Sequence, residues 1–90
     1  MDVKVVDYDS NKHYVDYEVT GLNPEQLEFL KINLDEELSI EDGVLKIRMH
    51  FDENLFPFNS EIAKFKSEDF IAREEIEMNV FLSSILDDMK

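Results

Sequence analysis

Apolar and polar residues alternate along two stretches of this chain and recur every three to four positions along two others. Val, Tyr and other strand-favouring residues fill positions 3–8 and 13–19, on either side of the polar tetrad Asp9-Ser10-Asn11-Lys12. Asp, Ser and Asn favour turns, so this pattern predicts a β-hairpin. A turn centred on Ser10 and Asn11 sets Val6 opposite Val15, Lys4 opposite Tyr17 and Tyr8 opposite His13. One face of the hairpin is then mostly apolar. The other carries Val3, Val5, Asp7, Tyr14, Asp16 and Glu18.

Gly21-Leu22-Asn23-Pro24 breaks this pattern. Asn23 can cap a helix, Pro24 fits its first turn, Glu25 suits the positive end, and Gln26 lies three residues after the cap. With Leu27, Leu30 and Leu34 as the inward stripe, a short helix is expected over about residues 24–31. A second alternating stretch follows, with Asp42-Gly43 at its centre, the strongest short-range hairpin signal in the chain. Leu38 and Ile40 alternate before that turn. After it, Leu45, Ile47, Met49 and Phe51 alternate with Lys46, Arg48 and His50, which predicts one buried face and one wet, locally basic face. Glu37 and Glu41 are the expected cross-strand partners of those basic residues.

Pro57 marks residues 51–61 as a loop, yet Leu55, Phe56 and Phe58 are too apolar for a free one. They are expected to cover the open end of the core or to meet a partner. From Ser67 onward, an acidic start at Glu68 and Asp69 suits a helix N-terminus. As a helix, this segment gathers Phe70, Ile71, Met78, Phe81, Leu82, Ile85, Leu86 and Met89 on one broad side. Ile76 and Val80 fall opposite as a narrow second stripe, near Ala72. As a strand, Ile76, Met78, Val80 and Leu82 would alternate with Glu75, Glu77, Asn79 and Phe81. The helix is preferred, because residues 67–90 contain no Gly or Pro and are too long for one strand. The second stripe then points to a homodimer contact.

The fold class that follows is α+β, over a single domain spanning residues 1–90. Two antiparallel β-hairpins form a small sheet, with a short helix between them and a C-terminal helix. Composition adds one feature the pattern does not show. Twenty-two Asp and Glu against nine Lys and Arg leave a net charge of −13. Direct contact with nucleic acid or an anionic membrane is not expected, since both require clustered cations. No apolar run is long enough to span a bilayer, no basic-apolar leader opens the chain, and there is no cysteine. A cytoplasmic protein is the expectation.

Residue chemistry points away from catalysis. Two glycines, Gly21 and Gly43, cannot make a glycine-rich phosphate loop, and no nucleophile motif is present. Carboxylate pairs are so abundant that finding one carries no information. His13 sits beside a turn and His50 alternates outward, without the spacing of a metal pair. Asp7, Asp9, Asn11 and Glu18 do match four ligand positions of a calcium loop. Lys12, however, stands where that loop needs Gly, and a strand-like run precedes Asp7. We therefore expect no enzyme, cofactor or metal.

The distribution of negative charge is more informative. Carboxylates occur in every element. Asp7, Asp16 and Glu18 lie on the first hairpin, and Asp35, Glu36, Glu37, Glu41 and Asp42 around the second. Glu68, Asp69, Glu74, Glu75 and Glu77 lie in the last segment. Alternate strand residues are ~6.6 Å apart, comparable with the spacing of phosphates along a DNA strand. Rows of carboxylates on rigid elements are thus candidates to meet a basic, DNA-binding surface. Leu55, Phe56, Phe58, Ile76 and Val80 are the candidates for a dimer or apolar partner contact.

In size, acidity, absence of cysteine and α+β make-up, the chain resembles the small DNA-mimic inhibitors encoded by bacteriophages, including the type in Bacillus phages that binds the histone-like protein HU. The likeness spans the whole chain and rests on no specific motif. It implies an acidic, dimeric inhibitor that acts in the host cytoplasm by occupying the DNA-binding surface of a basic protein such as HU. A local likeness covers Asn54 to Glu61, "NLFPFNSE", which is similar to a segment of the export chaperone SecB, with Phe58 in place of Tyr. It implies the alternative function, a subunit-interaction or chaperone-like module that binds through apolar residues.

Overall fold

A computed structural model describes residues 1–52 and 67–89. The expected α+β architecture is present: a four-stranded antiparallel sheet with helices packed against one face. Strand β1 (Asp2–Asp9) and strand β2 (Tyr14–Thr20) form the first hairpin. Helix α1 (Pro24–Asn33) leads to strand β3 (Glu37–Glu41) and strand β4 (Val44–His50), which form the second. Helix α2 (Ser67–Asp87) ends the fold, and the strand order is β1-β2-β4-β3.

The second hairpin follows its turn chemistry closely. Glu41 pairs with Val44 around Asp42 and Gly43, whose φ angles are 52° and 78°. Two successive positive φ values define the tight turn whose twist matches that of the flanking strands, and Asp-Gly suits it best. The first hairpin departs from expectation. Its loop spans residues 10–13, closed by Asp9 opposite Tyr14. The Asp9 carboxylate accepts the amides of Asn11 at 2.8 Å and Lys12 at 3.0 Å, and His13 turns the chain back with φ 59°.

The register therefore differs from the simple turn read from sequence. Tyr8, not Val6, faces Val15; Val5 faces Tyr17; and Lys4 faces Glu18. Val6 forms a bulge in β1. That extra residue resets the alternation, turning Val3 and Val5 toward the core and leaving Val6 53% exposed. Packing explains the outcome: two β-branched residues gain burial and Lys4 stays on the wet face, at the cost of one exposed valine.

Central strands β2 and β4 supply the middle of the core. Val15, Tyr17, Val19, Leu45 and Ile47 are all buried beneath the helices. α1 begins with the expected reciprocal cap: Asn23 accepts from the Gln26 amide at 2.8 Å, and Gln26 accepts from the Asn23 amide at 2.9 Å. Its Leu27 and Leu30, with Leu34 just after its end, close one side of the core. α2 contributes Met78 and Leu82, flanked by half-buried Phe70, Ile71, Ile85 and Leu86. It is a helix throughout residues 67–87, so the strand alternative does not apply. Phe81, expected on its inner side, lies at the margin and is 42% exposed. No helix among the described residues is long and apolar enough to cross a membrane.

Candidate functional site

The open face of the sheet is the first candidate for the acidic surface, and the register shows how its charges are arranged. One cross-strand row runs Asp7, Asp16, Arg48, Glu37; the next runs Lys4, Glu18, Lys46, Ser39. Cations and carboxylates thus alternate across the central strands. Arg48 grips Asp16 with both arms of its guanidinium, Nε to Oδ1 at 2.8 Å and Nη2 to Oδ2 at 3.0 Å. The same group stacks over the Tyr14 ring, 4.0 Å from its centroid. Lys46 pairs with Glu41 at 3.2 Å, and His50 Nε2 stands 3.3 Å from Glu37. A shallow concavity of 460 Å³ is lined by Asp16, Glu18, Glu37, Lys46 and Arg48, together with Val6.

This face is largely self-neutralised. Asp16, Glu37 and Glu41 face cations within the sheet, and Glu18 lies between Lys4 and Lys46. Uniform rows of negative charge at phosphate spacing are absent from the described sheet residues. Asp7, opposite Asp16, folds back to accept the amide of Tyr8 at 2.9 Å. Asp9 is held below the usual carboxylate range by the loop amides of Lys12 and Asn11.

On α2, three nearly adjacent carboxylates serve three different purposes. Glu75 reaches the edge strand and accepts the Val5 amide at 2.9 Å, satisfying a donor on that edge of the sheet. Glu77 pairs with Arg73 one turn earlier, at 3.0 Å. Glu74 does not belong to the surface at all. It is buried against the sheet, where the Tyr17 hydroxyl donates to its Oε2 at 3.3 Å. Burial raises the Glu74 carboxyl above its ordinary range, and the charge of Glu77 adds to this. Burial likewise raises the Tyr17 hydroxyl, with the charge of Glu74 adding to it. Glu74 is therefore removed from the candidate partner-binding set: a partner cannot reach it while α2 is docked.

Several exposed carboxylates lie off the sheet, on helices and turns. Asp35 precedes β3, Asp42 sits in the tight turn and Asp69 opens α2; all three are exposed, and Glu36 is half-buried. None of these four has an ion-pair partner among the described residues. The Glu68 side chain and residues Leu55, Phe56 and Phe58 lie outside the described set. Ile76 and Val80 do form an outward stripe on α2, 65% and 64% exposed. They line a depression with Ala72, Asn79 and the edge-strand residues Asp2 and Val3.

Sequence reading overlooked a second outward group on α1. Glu25, Glu28, Phe29 and Ile32 share one side of that helix, away from Leu27, Leu30 and Leu34. Their spacing of three and four residues was the available signal. Two apolar residues in an acidic stretch were simply outweighed by the leucine stripe.

Comparison with known proteins places this arrangement without assigning it an activity. No match was found among curated proteins. The sequence does fit one family over nearly its whole length, and the chain belongs to that family of unknown function, DUF5750, which it matches over residues 2–88.

Proposed function

We propose that this protein is a non-enzymatic acidic binding protein that acts as a DNA mimic, occupying the nucleic-acid-binding surface of a basic protein and inhibiting it. The observation that carries this reading is the set of exposed carboxylates on α1, α2 and the connecting turns that have no cation partner among the described residues. Asp35, Asp42 and Asp69 belong to it, as do Glu25 and Glu28. Their charge is held on ordered backbone, so a basic partner meets it without having to order a flexible tail. The sheet face contributes less, because its cations already neutralise it. A histone-like protein such as HU remains the partner suggested by the whole-chain resemblance.

The test is competition. Duplex DNA bound to HU is titrated with this protein while fluorescence anisotropy follows the DNA. Displacement that weakens steeply with added salt is the expected result. DNA that stays bound at every protein concentration, in low salt, would refute the reading.

The exposure of Ile76 and Val80 favours a homodimer as the assembled form. A concentration-dependent sedimentation coefficient, abolished by Ile76→Ser, is the expected outcome; a monomer at all concentrations removes the dimer.

A further inference from the structure

Helix α1 has two apolar sides, and only one of them is buried. Leu27 and Leu30 face the core, whereas Ile32 is 71% exposed and Phe29 half-exposed on the opposite side. Met89 completes this outer patch. Its position is set by the last turn of α2, where its amide donates to the Leu86 carbonyl at 3.0 Å and that of Asp88 to Ile85 at 3.1 Å. Together Phe29, Ile32 and Met89 floor a depression edged by Glu25 and Glu28.

Among the described residues, the charge around this floor is one-sided. Glu25 and Glu28 have no ion-pair partner among the described residues, and exposed Asp87 and Asp88 immediately precede Met89. These two aspartates sit at the carbonyl end of α2, where the helix dipole is already negative, and the last turn of that helix carries no basic residue. A helix end of this kind is stabilised by a nearby cation. Lys31 is the nearest cation along α1, and it lies toward the flank of the helix, off the depression.

We infer that this patch is a docking site for a partner segment bearing a bulky apolar side chain flanked by lysine or arginine. The apolar side chain covers Ile32 and Phe29, and the flanking cations meet Glu25, Glu28 and the end of α2. Charge complementarity selects this occupant. A second copy of this strongly acidic chain would bring like charges together around the same floor. The inference rests on the acidic-binder reading and adds to it a defined place of contact.

The probes are two fluorescent peptides of equal positive charge, one of leucine and lysine in helical spacing and one of lysine and serine. Each is titrated with the full chain near physiological salt. The leucine peptide is expected to bind about tenfold more tightly. Ile32→Ser should remove that margin while leaving the serine peptide unaffected, and Glu25→Lys with Glu28→Lys should weaken both. Ile32 is exposed, so the variant should melt with the wild type; if it does not, the charge-neutral Ile32→Gln provides the same comparison. Equal binding of the two peptides, or a margin lost in Ile76→Ser but kept in Ile32→Ser, overturns the site and leaves the acidic-binder reading standing. A dimer abolished by Ile32→Ser also overturns it, since a second copy then occupies the patch. Failure of both peptides to bind even in low salt removes the site and the reading together.

Discussion

Replacing Glu74 by Gln should stabilise the protein at neutral pH, although it removes a charged partner of Tyr17. Glu74 is 8% exposed, on the side of α2 that packs against the sheet. Two effects compete. Gln keeps a carbonyl able to accept the Tyr17 hydroxyl but loses the charge assistance in that bond. At 3.3 Å the bond is long for an O–H···O contact, so the loss should be below ~1 kcal/mol. Against this, Gln removes a carboxylate held away from water beside Glu77, and leaving such a group poorly compensated costs about 1–3 kcal/mol. Desolvation wins, and the expected net gain at pH 7 is about 1 kcal/mol.

The pH dependence makes this prediction specific. Burial raises the folded-state pKa of Glu74 above its ordinary 4.5, so the folded protein holds that proton more tightly than the unfolded chain does. The resulting stabilisation is complete below about 4.5 and is lost as pH rises through the folded value. Gln cannot titrate. The margin of Glu74→Gln over wild type should therefore be near zero or negative at the acid end and grow as pH rises. Thermal denaturation of both proteins at fixed ionic strength measures it, with about 4–8 °C expected at pH 7. The general repulsion of an acidic chain acts on both proteins and largely cancels in the difference. A variant less stable than wild type at pH 7, or a margin independent of pH, would refute the reasoning.

Two further outcomes test the fold around the candidate surfaces. Leu82→Ala removes a fully buried side chain where α2 meets the core, and should cost about 2–5 kcal/mol in urea denaturation; a loss below ~1 kcal/mol would mean α2 is not firmly docked. Gly43→Ala should cost about 1–2 kcal/mol, because φ is +78° and an added Cβ would meet no described residue beyond its chain neighbours within 4 Å, leaving only the backbone penalty. A neutral result in the same assay would indicate that the turn rearranges.

Much of the local structure was legible from neighbouring residues. Asn23-Pro24-Glu25-Gln26 encodes a helix start because the cap's donors and acceptors lie within one turn. Asp42-Gly43 encodes a hairpin because few residue pairs tolerate two positive φ angles in succession. The apolar period from Ser67 onward likewise describes α2, since helical contacts join residues three and four apart. The first hairpin was less legible. Its loop length depends on Asp9 gathering the amides beyond it, and its bulge depends on which valines the core can accept.

The candidate surface depended still more on the assembled fold. Glu74, Glu75 and Glu77 are chemically alike and almost adjacent, yet each residue turns about 100° from the last around a helix. One consequently faces the core at Tyr17, one the edge amide of Val5, and one Arg73. Asp16 and Arg48 lie far apart in the chain and become partners only when β2 and β4 pair. Net charge is a sum over residues and can be read from composition; whether a given carboxylate is available to a partner depends on what the fold sets opposite it.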